Sequence, residues 1–114
     1  MSKATNWIDI GDIADVPVRG SRLVQVQGGA IAIFRTRDDQ VFALDDRCPH
    51  LGGPLSQGIV HDRSVTCPLH NLVIDLKSGE GQGPGGGCVR SYPVELRDAR
   101  IFLDLGALEN ERVA

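Results

Sequence analysis

The chain is short of cysteine, of basic charge and of long apolar runs, and each shortage excludes a class of function. Only three cysteines occur among 114 residues, at positions 48, 67 and 88. An odd number gives no complete disulfide framework, and in a reducing compartment such thiols are available as metal ligands. Lys and Arg number 12 against 15 Asp and Glu, a formal net charge of −3. Nucleic-acid binding needs a basic surface, so no nucleic-acid partner is expected; an acidic chain suits docking on a basic patch of a protein partner. No apolar run approaches the ~18 residues that cross a bilayer. The opening residues, Met1 to Asn6, lack the apolar stretch of a secretory signal. The expectation is a cytoplasmic chain with no membrane partner. A sustained helical period is missing too.

What is present is a series of short strand-like runs. Leu23-Val24-Gln25-Val26-Gln27 alternates, Gly28-Gly29 follows, and Ala30-Ile31-Ala32-Ile33-Phe34 completes a hairpin pattern. Asp38-Asp39-Gln40 marks a turn before Val41-Phe42-Ala43-Leu44. Ile59-Val60, Val65-Thr66 and Leu72-Val73-Ile74-Asp75 are further strands, and Tyr92 to Leu96 pairs with Ile101 to Leu105 as a second hairpin. Single helical turns are expected at Ile10 to Val16 and at Leu108 to Val113. Short strands at this spacing predict an all-β sandwich or barrel, in one domain spanning residues 1–114. The glycine-rich stretch Gly79 to Gly87 lacks the Gly-Lys-Ser/Thr ending of a phosphate loop, and no helix follows it.

The chemistry is concentrated in two boxes, Cys48-Pro49-His50-Leu51-Gly52 and Cys67-Pro68-Leu69-His70, with sixteen residues between His50 and Cys67. Each box offers one thiolate and one imidazole on a loop at a strand end, and a proline in each box stiffens the loop. The residues could simply pack or face solvent, though two mixed boxes so close together are improbable by chance. Two Cys and two His also suit a tetrahedral zinc, but zinc knuckles usually pair like with like, and Cys-x-His is tight for one shared ion. The third reading is a binuclear iron–sulfur centre in which two histidines replace two cysteines on one iron. Mixed boxes fit that best, because each loop can send its Cys to one iron and its His to the other. His61 reads as a surface histidine, Cys88 as a buried structural thiol, Trp7 as core or core edge, and Arg47 and Arg63 as surface charge.

Cys48-Pro49-His50-Leu51-Gly52-Gly53-Pro54-Leu55 together with Cys67-Pro68-Leu69-His70 resembles the Rieske [2Fe–2S] family, and the resemblance runs from about Trp7 to Leu105. It implies an antiparallel β-sandwich base with an inserted cluster-binding subdomain, about residues 45–89. It implies that Cys48 and Cys67 hold the inner iron and His50 and His70 the outer one, and that the glycine-rich stretch is the third loop over the cluster. High-potential members carry an extra cysteine in each box; those positions are Gly53 and Leu69 here, so that disulfide cannot form. Their serine after the second histidine is absent, since Asn71 and Leu72 follow His70. Fewer hydrogen bonds to the cluster lower the potential. A neutral oxidised centre, with two thiolates rather than four, raises it above plant-type ferredoxins, so a midpoint of around −150 to 0 mV is expected.

Cys48 to Val60, Thr66 to Glu80, Gly87 to Leu96 and the opening Trp7-Ile8-Asp9-Ile10 further resemble the small subunit of assimilatory NAD(P)H-dependent nitrite reductase. That resemblance implies a large partner carrying flavin, sirohaem and a [4Fe–4S] cluster that reduces nitrite to ammonia. This chain would then be a non-catalytic subunit assisting electron flow or assembly. The alternative is the ferredoxin of a ring-hydroxylating dioxygenase system, moving electrons from a flavin reductase to an oxygenase; the Leu72 to Glu95 segment fits it less well. A zinc-stabilised, non-redox binding module is the outsider.

Overall fold

The run Ala30 to Phe34 contains no polar residue, and the fold explains why. The structure, a computed structural model, describes residues 7–26, 29–47, 54–67, 72–82 and 87–105. The run lies in β3 (Gly29–Arg35), inside an antiparallel four-stranded sheet ordered β2-β3-β4-β8, where β2 is Gly20–Val26, β4 Val41–Asp45 and β8 Ser91–Tyr92. Successive side chains of a strand leave on opposite faces. Ile31 and Ile33 share one face, Ala32 and Phe34 the other, and all four are fully buried. A strand covered on both sides has no wet face to alternate with.

The Ile31 and Ile33 face packs on a second sheet ordered β1-β10-β9, with β1 at Trp7–Asp12, β9 at Val94–Arg97 and β10 at Arg100–Asp104. Val16, Ala43, Tyr92, Ile101 and Leu103 fill that core. This is the expected antiparallel sandwich base. The Ala32 and Phe34 face carries a three-stranded meander, β5 (Ile59–His61), β6 (Ser64–Thr66) and β7 (Val73–Asp75), through Leu44, Leu55, Val60, Val65, Ile74 and Leu76. At ~1.5–3 kcal/mol for each fully buried large apolar side chain, the shared apolar contacts hold the meander on its base.

Three local details differ from expectation. The β2–β3 register pairs Val26 with Gly29, so Gly29 belongs to the strand rather than to the turn expected there. The single strand expected from Tyr92 to Leu96 is two strands. Pro93 has no N–H for a ladder, and at it the chain leaves the four-stranded sheet for the other one. The N-terminal strand β1, unrecognised in the sequence, is bulged: its register steps from Asp9↔Phe102 to Gly11↔Ile101, and Gly11 takes φ +127°. A bulge erases the two-residue period that marks a strand. The turn expected within Ile10 to Val16 is the 3₁₀ turn Ile13–Asp15, capped by the Asp12 carboxylate accepting from the Ala14 N–H at 2.8 Å. The turn expected at Leu108 to Val113 lies outside the described residues. No helix among the described residues is long and apolar enough to cross a membrane.

Candidate metal centre

Of the four predicted ligands, Cys67 is described; Cys48, His50 and His70 lie outside the described residues. Cys67 follows β6 directly and is 1% exposed, in the core between meander and base. Its N–H donates to the Leu72 carbonyl at 2.8 Å. A thiol here has apolar neighbours behind it. Beside it, His61 Nε2 lies 2.7 Å from Thr66 Oγ1, so His61 is a half-buried strand residue tied to its neighbour rather than the surface histidine expected.

The first box leaves from the end of β4, and two consecutive aspartates fix its root. Asp45 accepts the Tyr92 O–H at 2.6 Å on Oδ1, and its N–H donates to the Arg90 carbonyl at 2.9 Å. Burial, and then the hydrogen bond and charge of Asp45, push the Tyr92 phenol above its ordinary value near 10. Asp46 turns the other way. Its Oδ1 accepts the Ser56 N–H at 2.6 Å and its Oδ2 the Ser56 O–H at 3.1 Å. Bonds to an ionised acceptor contribute ~1.5–3 kcal/mol each. The chain re-enters described structure at Pro54 and makes the 3₁₀ turn Leu55–Gln57, with Leu55 driven into the core. Gly58 must be glycine, since a Cβ there would stand 2.3 Å from the Thr66 carbonyl oxygen, one residue before Cys67.

The glycine-rich stretch is anchored at both described ends. The Gly79 N–H donates to the Asp75 carbonyl and the Val89 N–H to the Gly79 carbonyl, each at 2.8 Å, and the Gly81 N–H donates to the Gly87 carbonyl at 2.8 Å. Residues 83–86 between them lie outside the described residues. Cys88 corrects an expectation: it is exposed, not buried. It bridges Glu80 at the periphery, where no apolar layer covers it. Trp7 is half-buried at the edge of its sheet, with the Arg97 guanidinium 5.9 Å from its ring centroid. Arg47 and Arg63 are exposed, as expected of surface charge.

The profile of the Rieske [2Fe–2S] domain matches residues 6–93. The chain belongs to the Rieske family. Among its Rieske relatives is the ferredoxin component of the naphthalene 1,2-dioxygenase/salicylate 5-hydroxylase systems of Ralstonia sp., 30% identical over 101 residues, covering 88% of this chain and 96% of the relative. The anthranilate 1,2-dioxygenase ferredoxin subunit of Burkholderia cepacia is 39% identical over 77 residues, covering 67% and 70%. A solved Mycobacterium tuberculosis structure, provisionally assigned as an NADH-dependent nitrite reductase small subunit, superposes with a TM-score of 0.80 at 24% identity, covering 90% and 96%. That last likeness is one of fold.

The family and its ferredoxins carry a Rieske-type [2Fe–2S] cluster, and this is a Rieske electron-transfer protein. The described residues fit that cofactor. A buried thiol at a strand end gives a low-dielectric soft donor, and the chain on either side of both candidate boxes is held by hydrogen bonds, as a rigid donor set requires.

Proposed function

We propose that Cys48 and Cys67 supply thiolates, and His50 and His70 imidazoles, to the [2Fe–2S] cluster, and that this chain is the small subunit of an NAD(P)H-dependent assimilatory nitrite reductase. The cluster supplies reversible one-electron carriage when bound. The protein's part is to keep the thiolates dry and the loops in place: Cys67 sits in the core, while the Asp46 and Leu72 bonds hold the two loop bases.

The observation that carries the subunit reading is the sequence of the segment Leu72 to Glu95, which resembles that subunit and fits a dioxygenase ferredoxin less well. In this reading the large partner carries flavin and sirohaem, and this chain is not catalytic alone. A second reading, the ferredoxin between a flavin reductase and a ring-hydroxylating oxygenase, is favoured by the Ralstonia and Burkholderia relatives, ferredoxins of a dioxygenase/hydroxylase system and of a dioxygenase.

Affinity purification of the tagged chain from its host grown on nitrate, under mild anaerobic conditions, separates the two. Retention of a large sirohaem-containing partner with NAD(P)H-dependent nitrite reduction supports the subunit reading. A brown chain that retains no such partner but reduces an oxygenase overturns it.

A further inference from the structure

The Asp46 carboxylate makes a closed ring of bonds around the first ligand loop. It holds the Ser56 N–H at 2.6 Å and the Ser56 O–H at 3.1 Å. The Ser56 carbonyl accepts the Ser21 O–H at 2.6 Å, from β2 of the base. The Asp46 N–H donates to the Ala30 carbonyl at 3.0 Å, on β3 of the same sheet. In sequence, Asp46 precedes Cys48 by two residues and Ser56 follows His50 by six. The residue before the ligands and the residue after them are therefore bonded to each other, and each is separately bonded to the base. One bidentate side chain fixes the span that the loop must bridge.

We propose that Asp46 is the positioning residue of the first ligand loop: its clasp on Ser56, anchored through Ser21 and Ala30, holds the loop at the span that retains the cluster. A loop free to widen its base presents its ligands in many geometries, and the cluster must then pay for ordering it. Groups that orient metal ligands without touching the metal typically change metal retention by ~10–100-fold. The clasp works through geometry, not charge. An asparagine can accept the Ser56 N–H on Oδ1 and donate from Nδ2 to the Ser56 hydroxyl. Asp46→Asn is therefore a rescue and Asp46→Ala a loss.

The proposal rests on Cys48 and His50 being ligands, which Cys48→Ser checks separately. If that variant keeps the full visible spectrum of the wild type, the ligand assignment has failed, and the clasp has nothing to position. With the assignment standing, the cluster-loaded full chain is exposed to a ferrous chelator under reducing conditions. Iron release and bleaching of the visible band are followed at a temperature where the far-ultraviolet circular dichroism of every variant is unchanged. The expected result is loss at least ~10-fold faster in Asp46→Ala, wild-type loss in Asp46→Asn, and an intermediate rate in Ser56→Ala, which keeps only the N–H half of the clasp. Equal rates in wild type and Asp46→Ala overturn the proposal, as does an Asp46→Asn variant as leaky as the alanine. If Asp46→Ala does not fold, Ser56→Ala decides: a wild-type rate there overturns the proposal. Arg35→Ala guards against general loosening. Arg35 donates to the Ile13 and Val16 carbonyls at 3.1 and 3.0 Å, at the opposite end of β3 from Ala30. If Arg35→Ala lowers the melting temperature as much and releases iron as fast, the effect is global and the clasp is refuted.

Discussion

A methyl group added at Gly79 has nowhere to go. Its Cβ would stand 2.1 Å from the Val89 carbonyl oxygen, which is backbone and cannot rotate away, and the residue holds φ +79°. The left-handed conformation alone costs an L-residue ~1–2 kcal/mol. Relieving the clash means moving Gly79 and Val89 apart, yet the Val89 N–H is bonded to the Gly79 carbonyl and the Gly79 N–H to the Asp75 carbonyl, both at 2.8 Å. Losing one of these buried bonds leaves a polar group unpaired at ~1–3 kcal/mol. The expected total for Gly79→Ala is ~2–5 kcal/mol, a large fraction of the ~5–15 kcal/mol that holds a domain together. At ~4 °C per kcal/mol for a chain of this length, the melting temperature should fall by ~8–20 °C. Thermal unfolding followed by far-ultraviolet circular dichroism measures it. Gly29→Ala is the matched control, since nothing lies within 4 Å of a Cβ there; it should be neutral or slightly stabilising. A Gly79→Ala variant melting within ~4 °C of wild type would refute the packing argument.

Other perturbations test other parts of the molecule. Tyr92 is held neutral in the fold by burial and by Asp45, so its folded pKa lies above its unfolded value near 10. That contribution is full below pH ~10 and is lost as the pH rises further. Tyr92→Phe should make denaturant stability fall less steeply between pH 9.5 and 11 than in wild type, and equal slopes would argue against the assignment. Cys67→Ser should yield a colourless or weakly coloured protein, whereas Cys88→Ser, altering an exposed thiol, should leave the visible spectrum intact. Loss of the cluster in Cys88→Ser would place that thiol in the metal centre. The Asp9–Arg100 pair, at 3.0 Å on an exposed sheet face, should matter little: Arg100→Met should shift urea midpoints only marginally, and a large shift would mean surface pairs do more here than usual. A redox titration should find the midpoint around −150 to 0 mV; one well above would mean the cluster receives more hydrogen bonds than the sequence suggests.

The all-β class was legible because turn residues punctuate apolar runs at strand spacing, and the family because two mixed Cys–His boxes are rare outside iron–sulfur proteins. What escaped was whatever depends on distant partners. Tyr92 reaches Asp45 across 47 positions, and Asp46 finds Ser56 ten residues on. Two aspartates before a ligand box look like solvent-facing charge until the fold brings their donors. Cys88 was misjudged for the opposite reason. Free thiols are usually buried, but a residue joined only by an isolated bridge to Glu80 has no second layer to cover it. Pro93 was visible, yet its effect, a transfer between sheets, depends on where β4 and β10 lie.

The pleat of β3 divides the molecule's labour by parity. Odd positions 31 and 33 serve the sandwich base, and even positions 32 and 34 serve the lobe built on the β5–β7 meander, which holds Cys67. A change at one parity alters the packing of one core while the side chains of the other keep their neighbours. Stability of the scaffold and surroundings of Cys67 can therefore drift separately, even though adjacent residues of one strand encode both. A library varied at Ala32 and Phe34 alone would search the Cys67 side while leaving the base packing unaltered.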